Sequence, residues 1–162
     1  MSFNHFDDEG RAHMVDVTDK EPTVRQATAT ATVKLGRKLL AEVLDRNLTK
    51  GDVLGVARLA GINAVKRTSE LIPLAHPLAI GQAAIDFKTD EAEGTIQVIC
   101  SAKAQEKTGV EMEAMTGATV AALTIYDMCK GRDKSISIDQ VRLLFKSGGK
   151  SGVFQAEGEV SK

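Results

Sequence analysis

Tryptophan is absent from this 162-residue chain, and tyrosine (one), cysteine (two), proline (three) and histidine (three) are scarce. Cys100 and Cys129 form no CxxC pair, so neither a disulfide framework nor a four-thiolate zinc site can be built from them, and a reducing cytoplasm is the expected setting. His5, His13 and His76 are scattered too widely for metal-ligand spacing, so no structural metal is expected. There is also no excess of one charge. With 21 basic and 22 acidic residues the formal net charge is −1, which excludes the strong global field of a typical nucleic-acid binder and requires any anion site to be a local cluster. The uncharged run Ala114 to Tyr126 has 13 residues, short of the roughly 20 a membrane-spanning helix needs. The opening MSFNHFDDEGRAH carries acids and no apolar core, unlike a signal peptide, and reads as a loose tail. The length suits one domain over residues 1–162, with 1–20 and 148–162 expected to be flexible.

What is present is periodicity. From Arg25 to Leu35 the apolar residues Ala27, Ala29, Ala31, Val33 and Leu35 alternate with Gln26, Thr28, Thr30, Thr32 and Lys34, the pattern of a half-buried strand. By parity Arg25 falls at the end of the apolar face, where a guanidinium needs a salt bridge, an anion or an exposed rim. Arg37 to Leu44 and Asp52 to Leu71 read as helices, the second with Val53, Val56, Ala57, Ala60 and Ala64 at helical spacing. Ala83, Ile85 and Phe87, then Ile96, Val98, Cys100, Ala102 and Ala104, alternate around a DEAEG turn and predict a hairpin. Lys107 to Lys130 reads as a long helix, apolar in the middle and charged at both ends. A last strand carries Ile136 and Ile138, then Val141, Leu143 and Phe145, with the register slipping near Asp139 and Gln140 as a bulge would make it. The order strand, helices, strand, strand, helix, strand predicts an α+β fold: a ferredoxin-like antiparallel sheet with helices packed on one face.

Several residues are more than this fold requires. Asp127 and Lys130, three apart on the long helix, share a face and suit either a coupled acid-base pair or an ordinary surface ion pair. Glu111 and Glu113 follow Thr108 and Gly109 at the other end, where carboxylates also complement a helix N-terminus; two apart, they are not expected to point the same way. His76 lies between Pro73 and Pro77, which stiffen its loop and suit it to proton transfer or purine contact, although a loop histidine is often simply exposed. Lys50 precedes Gly51 at a predicted helix start, and Lys146 and Lys150 flank Gly148 and Gly149; each is a candidate for phosphate or a solvated lysine. The GKS at Gly149 to Ser151 is not a P-loop, because the required earlier glycine would fall at Leu144. Glu113 and Asp127 are 14 residues apart, about 21 Å along a straight helix. If both serve one small substrate, either the helix breaks near Gly117 or two subunits contribute, and the stripe Ala114, Gly117, Ala118 and Ala121 favours a shared site.

Together, AHMVDV (12–17), KGD (50–52), LIPLAHPL (71–78), KTGVEMEAMTGATVAALTIYDMCK (107–130) and LLFKSGGKSG (143–152) make the chain resemble the cyclic pyranopterin monophosphate synthase family of molybdenum cofactor biosynthesis. The resemblance covers nearly the whole chain. It implies a lyase that converts 3′,8-cyclo-7,8-dihydro-GTP to cyclic pyranopterin monophosphate and diphosphate, on the same ferredoxin-like fold. It implies a catalytic role for Asp127; Lys130 is assigned with it to proton transfer, and Lys50 to proton transfer or phosphate charge. Contact with the purine-derived part is assigned to His76, Met112 and Glu113, further substrate contact to Leu74, Ala75 and Glu111, and neutralisation of the triphosphate to Arg25 and Lys146. It implies assembly into a hexamer, to which the Glu113–Asp127 distance and symmetry add dimers with sites at their interfaces; no cofactor is expected to be required, although magnesium can enter with the triphosphate. Ala75 stands where the family usually has a cysteine, so an essential thiol there is not expected. The competing class is a catalytically silent nucleotide-binding or assembly domain on the same fold, which would need the cations but not the Asp127–Lys130 pair.

Overall fold

The computed structural model describes residues 5–45 and 51–157. The elements run β1 (Thr23–Lys34), α1 (Arg37–Leu44), α2 (Val53–Lys66), α3 (Thr68–Leu71), β2 (Ile80–Asp90), β3 (Thr95–Glu106), α4 (Glu111–Cys129), β4 (Ser137–Ser147) and β5 (Phe154–Gln155). The strands form one antiparallel sheet in the order β2-β3-β1-β4-β5. Its first four strands, with the helices between them, reproduce the ferredoxin-like α+β arrangement that the alternating patterns predict. Among the described residues no helix is long and apolar enough to cross a membrane.

The parity of β1 decides the core. Ala27, Ala29, Ala31 and Val33 are fully buried and face Ala102, Cys100, Val98 and Ile96 of β3 in register. Because most of these side chains are small, α4 can lie close to the sheet through Ala114, Ala118, Ala121, Ala122 and Ile125, all fully buried. The α2–α4 crossing is tighter still. A Cβ on Gly117 would meet Cys100 Sγ and Val65 Cγ2 at 2.6 Å, and one on Gly61 would meet the Gly117 carbonyl oxygen at 2.9 Å. Gly117 therefore serves helix packing, and α4 runs unbroken past it.

Three details depart from the pattern. The expected helix Asp52 to Leu71 divides at Arg67 into α2 and the single turn α3, and Val56 is exposed where the spacing would bury it. Its start is as read: Asp52 caps it, Oδ1 accepting the Gly55 N–H at 2.8 Å. Thr30, on the polar face of β1, is nonetheless buried, and its hydroxyl is satisfied by donating to the Val98 carbonyl at 2.8 Å. In β4 the slip near Asp139 is real, with Gln140 at φ 52 and Thr30 and Thr32 pairing with Arg142 and Asp139. A second irregularity between Thr28 and Ala29 shifts the face again, so Leu144 is buried while Val141 is 39% exposed. Bulges change which parity faces the core, and alternation alone registers only one of the two.

Candidate active site

Two adjoining cavities open where the sheet meets the start of α4. The first, about 620 Å³, is walled by His5, Val15, Val17 and Lys20 of the N-terminal segment, by residues 72–76 and Leu78, and by Thr108, Gly109, Glu111, Met112 and Glu113. The second, about 820 Å³, is lined by Lys20, Arg25, Lys107, Lys146, Lys150 and the glycine-containing turn after β4, with Asp19, Glu21 and Glu111 the acids among its more numerous cations. Lys20, Thr108, Gly109 and Glu111 border both, so the two form one cleft with an acidic, apolar end and a cationic end.

At the first end, Leu74, Ala75 and His76 come together with Glu111, Met112 and Glu113, as the sequence suggests. The His76 loop is braced by an Ala75 N–H bond to the Ile72 carbonyl at 3.0 Å and by Ala79 N–H donating to Glu106 Oε1 at 3.0 Å. Both glutamates border the cavity, although two residues apart on a helix they should diverge. Glu111 is the first helical residue and its carboxylate folds back over Gly109, in space a Cβ there would occupy. Glu113 points inward and is only 4% exposed. Burial pushes its carboxyl up to about 7, with the nearby Glu111 charge adding to the rise and its own backbone N–H opposing it. A carboxyl that titrates near neutrality can give or take a proton at little cost.

The cationic end is held by backbone. Arg25 is held by carbonyls: Nε donates to Glu106 O and Nη2 to Lys107 O, each at 3.1 Å. The turn after β4 wraps this guanidinium through Gly148 (φ 99) and Gly149 (φ 74), a left-handed path that brings the chain too close for any Cβ. Lys146 reaches toward both carboxylate and turn, its Nζ 4.0 Å from Glu111 Oε1 and hydrogen-bonded to Ser151 Oγ.

Asp127 and Lys130 are not brought to this cleft. They lie at the far end of the continuous α4, paired to each other at 2.5 Å with side chains 66% and 54% exposed, and the ammonium is held above its usual range by that carboxylate. The alternative of a helix broken near Gly117 is thereby removed. Lys50 lies outside the described residues. Among the described residues no group of three or more histidine, cysteine or acidic side chains is gathered for a metal.

Residues 14–149 match the MoaC family. The chain belongs to the MoaC family. It is 68% identical over 157 residues to a cyclic pyranopterin monophosphate synthase of Geobacter sulfurreducens, covering 97% of this chain and 98% of that protein. Proteins of the same name from Geobacter metallireducens (66% over 157 residues; 97% and 98% covered) and Geotalea uraniireducens (63% over 159 residues; 98% and 99% covered) are also similar.

The MoaC-family match begins within residues 1–20, the stretch expected to be flexible. Val15, Val17 and Lys20 form a wall of the cleft, His76 Nε2 sits 2.9 Å from Val15 O, and Lys107 Nζ donates to Thr18 O at 2.7 Å. The AHMVDV motif was the available signal for this wall, since a polar, irregular stretch has no periodicity to reveal where it docks.

Proposed function

We propose that this chain is a cyclic pyranopterin monophosphate synthase, converting 3′,8-cyclo-7,8-dihydroguanosine 5′-triphosphate to cyclic pyranopterin monophosphate with release of diphosphate. The observation that carries this reading is the polarity of the cleft. Its first end offers His76, Met112 and a buried carboxyl titrating near neutrality to a heterocycle, and its second offers Lys20, Arg25, Lys107, Lys146 and Lys150 to a polyphosphate.

Opening the imidazole ring of the guanine-derived base and re-forming a pterin calls for repeated proton transfers; closing the cyclic phosphate calls for an activated hydroxyl and a stabilised leaving diphosphate. Glu113 and His76 serve the first demand. Arg25 and Lys146 serve the second by neutralising the phosphate oxygens, and Glu111 borders both regions. Asp127 with Lys130, and Lys50, complete the acid-base set. Since Asp127 is a helix length from the cleft of its own chain, it acts in the cleft of a neighbouring subunit, and the protein works as a homo-oligomer, a hexamer built from dimers. Exposed Val56 and Leu59 on α2 and Leu123 on α4 supply apolar surface for such contacts. The enzyme needs no cofactor of its own and works in the cytoplasm as one domain.

The test is direct. Purified protein is incubated anaerobically with the cyclic intermediate, and product is read as pterin fluorescence after oxidation. The wild-type chain should turn over and Asp127→Asn should fold normally but be inactive. Near wild-type rates from Asp127→Asn would return the Asp127–Lys130 pair to a surface role, and no turnover by the wild type would favour the silent nucleotide-binding domain.

A further inference from the structure

His76 has two ring nitrogens, and the fold treats them differently. Nε2 lies 2.9 Å from the carbonyl oxygen of Val15. A carbonyl oxygen only accepts, so the nitrogen facing it carries the proton. Among the described residues Nδ1 meets no hydrogen-bond partner, while the ring as a whole borders the first cavity. Both sides of the contact are braced. The loop carrying His76 is held at Ala75 and Ala79, and the segment carrying Val15 is tied three residues later by the Lys107 ammonium on Thr18 O at 2.7 Å. A free imidazole exchanges between two tautomers. One held against a fixed acceptor does not.

We propose that the Val15 carbonyl is a positioning group that holds neutral His76 in the tautomer protonated at Nε2, so that the Nδ1 lone pair accepts a hydrogen bond from a ring N–H of the purine-derived part of the substrate. The substrate half of this statement rests on the functional reading above. The tautomer half does not. Val15 thus matters through its backbone, and its side chain can vary among apolar residues without altering His76.

The experiment uses the full chain with 15N-labelled histidine and long-range proton–nitrogen correlation at pH 8, with His76→Gln identifying the His76 signals. His76 should show a single tautomer, its proton on Nε2, while His5 and His13 show averaged patterns. A proton found on Nδ1 would overturn the assignment. Replacing the Val15–Asp16 amide by an ester, through an α-hydroxy acid at position 16, weakens that carbonyl as an acceptor without touching a side chain. It should move His76 to an averaged pattern and lower kcat about tenfold, the worth of one hydrogen bond, with circular dichroism unchanged. An ester form with wild-type tautomer and turnover would remove Val15 from the mechanism. His76→Gln retains an amide donor toward Val15 but has no acceptor at the Nδ1 position, and should lose activity roughly a hundredfold while keeping its melting temperature. Adding the cyclic GTP derivative to the Asp127→Asn protein should shift Nδ1 far more than Nε2; the reverse would refute the substrate contact. Absence of turnover by the wild-type chain would sink the functional reading and that contact together, leaving the tautomer to stand or fall on the spectrum of the free protein.

Discussion

Replacing Glu113 by glutamine should make the protein more stable and less active, and the gain in stability should depend on pH. Glu113 is 4% exposed and burial raises its carboxyl from its ordinary value of 4.5 to about 7. Between those values the folded chain keeps a proton that the unfolded chain has released, so folding stability falls as pH rises from about 4.5 to about 7 and stays lowered above that. The full difference corresponds to about 3 kcal/mol, a ceiling that relaxation of the carboxylate toward cavity water reduces. Glutamine keeps the shape and carries no charge. Urea unfolding at pH 5, 6, 7 and 8, at one fixed protomer concentration because assembly also stabilises, should show Glu113→Gln gaining little at pH 5 and up to about 3 kcal/mol at pH 8. Turnover should fall over the same pH range, the pattern of a side chain kept for chemistry at a cost in stability. A stability difference that is flat across pH, or a glutamine variant less stable at pH 8, would show that burial does not perturb this carboxyl and would withdraw it as a proton carrier.

The other expectations are shorter. Lys146→Ala should weaken calorimetric binding of the triphosphate more than binding of an analogue lacking the terminal phosphates, because its ammonium lines the cationic end of the cleft; Lys50→Ala should behave likewise, and equal losses for both ligands would mean these lysines do not read the phosphate chain. Iodoacetamide should leave the folded enzyme active, since Cys100 and Cys129 are buried and burial pushes the Cys100 thiol up to about 12; rapid inactivation mapped to a cleft residue would contradict this. Inactive Glu113→Ala and Asp127→Ala chains, mixed under conditions that exchange subunits, should regain activity, because some interfaces then combine both wild-type groups. Mixed oligomers that recover nothing would remove Asp127 from the site that Glu113 serves, since the unbroken α4 keeps the two apart within one chain.

The candidate site was legible where chemistry is written in short motifs. Leu74 to His76 and Glu111 to Glu113 do meet at one cavity, and Arg25 and Lys146 share its neighbour, because rigid turns and a helix start leave such side chains few places to go. Motif reading could not decide how Glu111 and Glu113 share the work. Helical spacing says they diverge, and only the packing of α4 buries one and lets the other fold back over Gly109. Nor could spacing show that Arg25 would be satisfied by the carbonyls of Glu106 and Lys107, since those acceptors come from a strand end more than 80 positions away.

For the fold, alternation in β1 and β3 and the long apolar stretch of α4 were enough, because a half-buried strand or helix must repeat its apolar residues at its own period whatever surrounds it. Ala27, Ala29, Ala31 and Val33 were assigned to the core from the sequence alone and are fully buried. Tertiary structure decided what no local period encodes: the second register shift in β4 that buries Leu144, the docking of Val15 to Lys20 as a wall of the cleft, and the continuity of α4 past Gly117. Each depends on contacts between residues distant in the chain, where close packing and the pairing of buried polar groups override the preferences of any single segment.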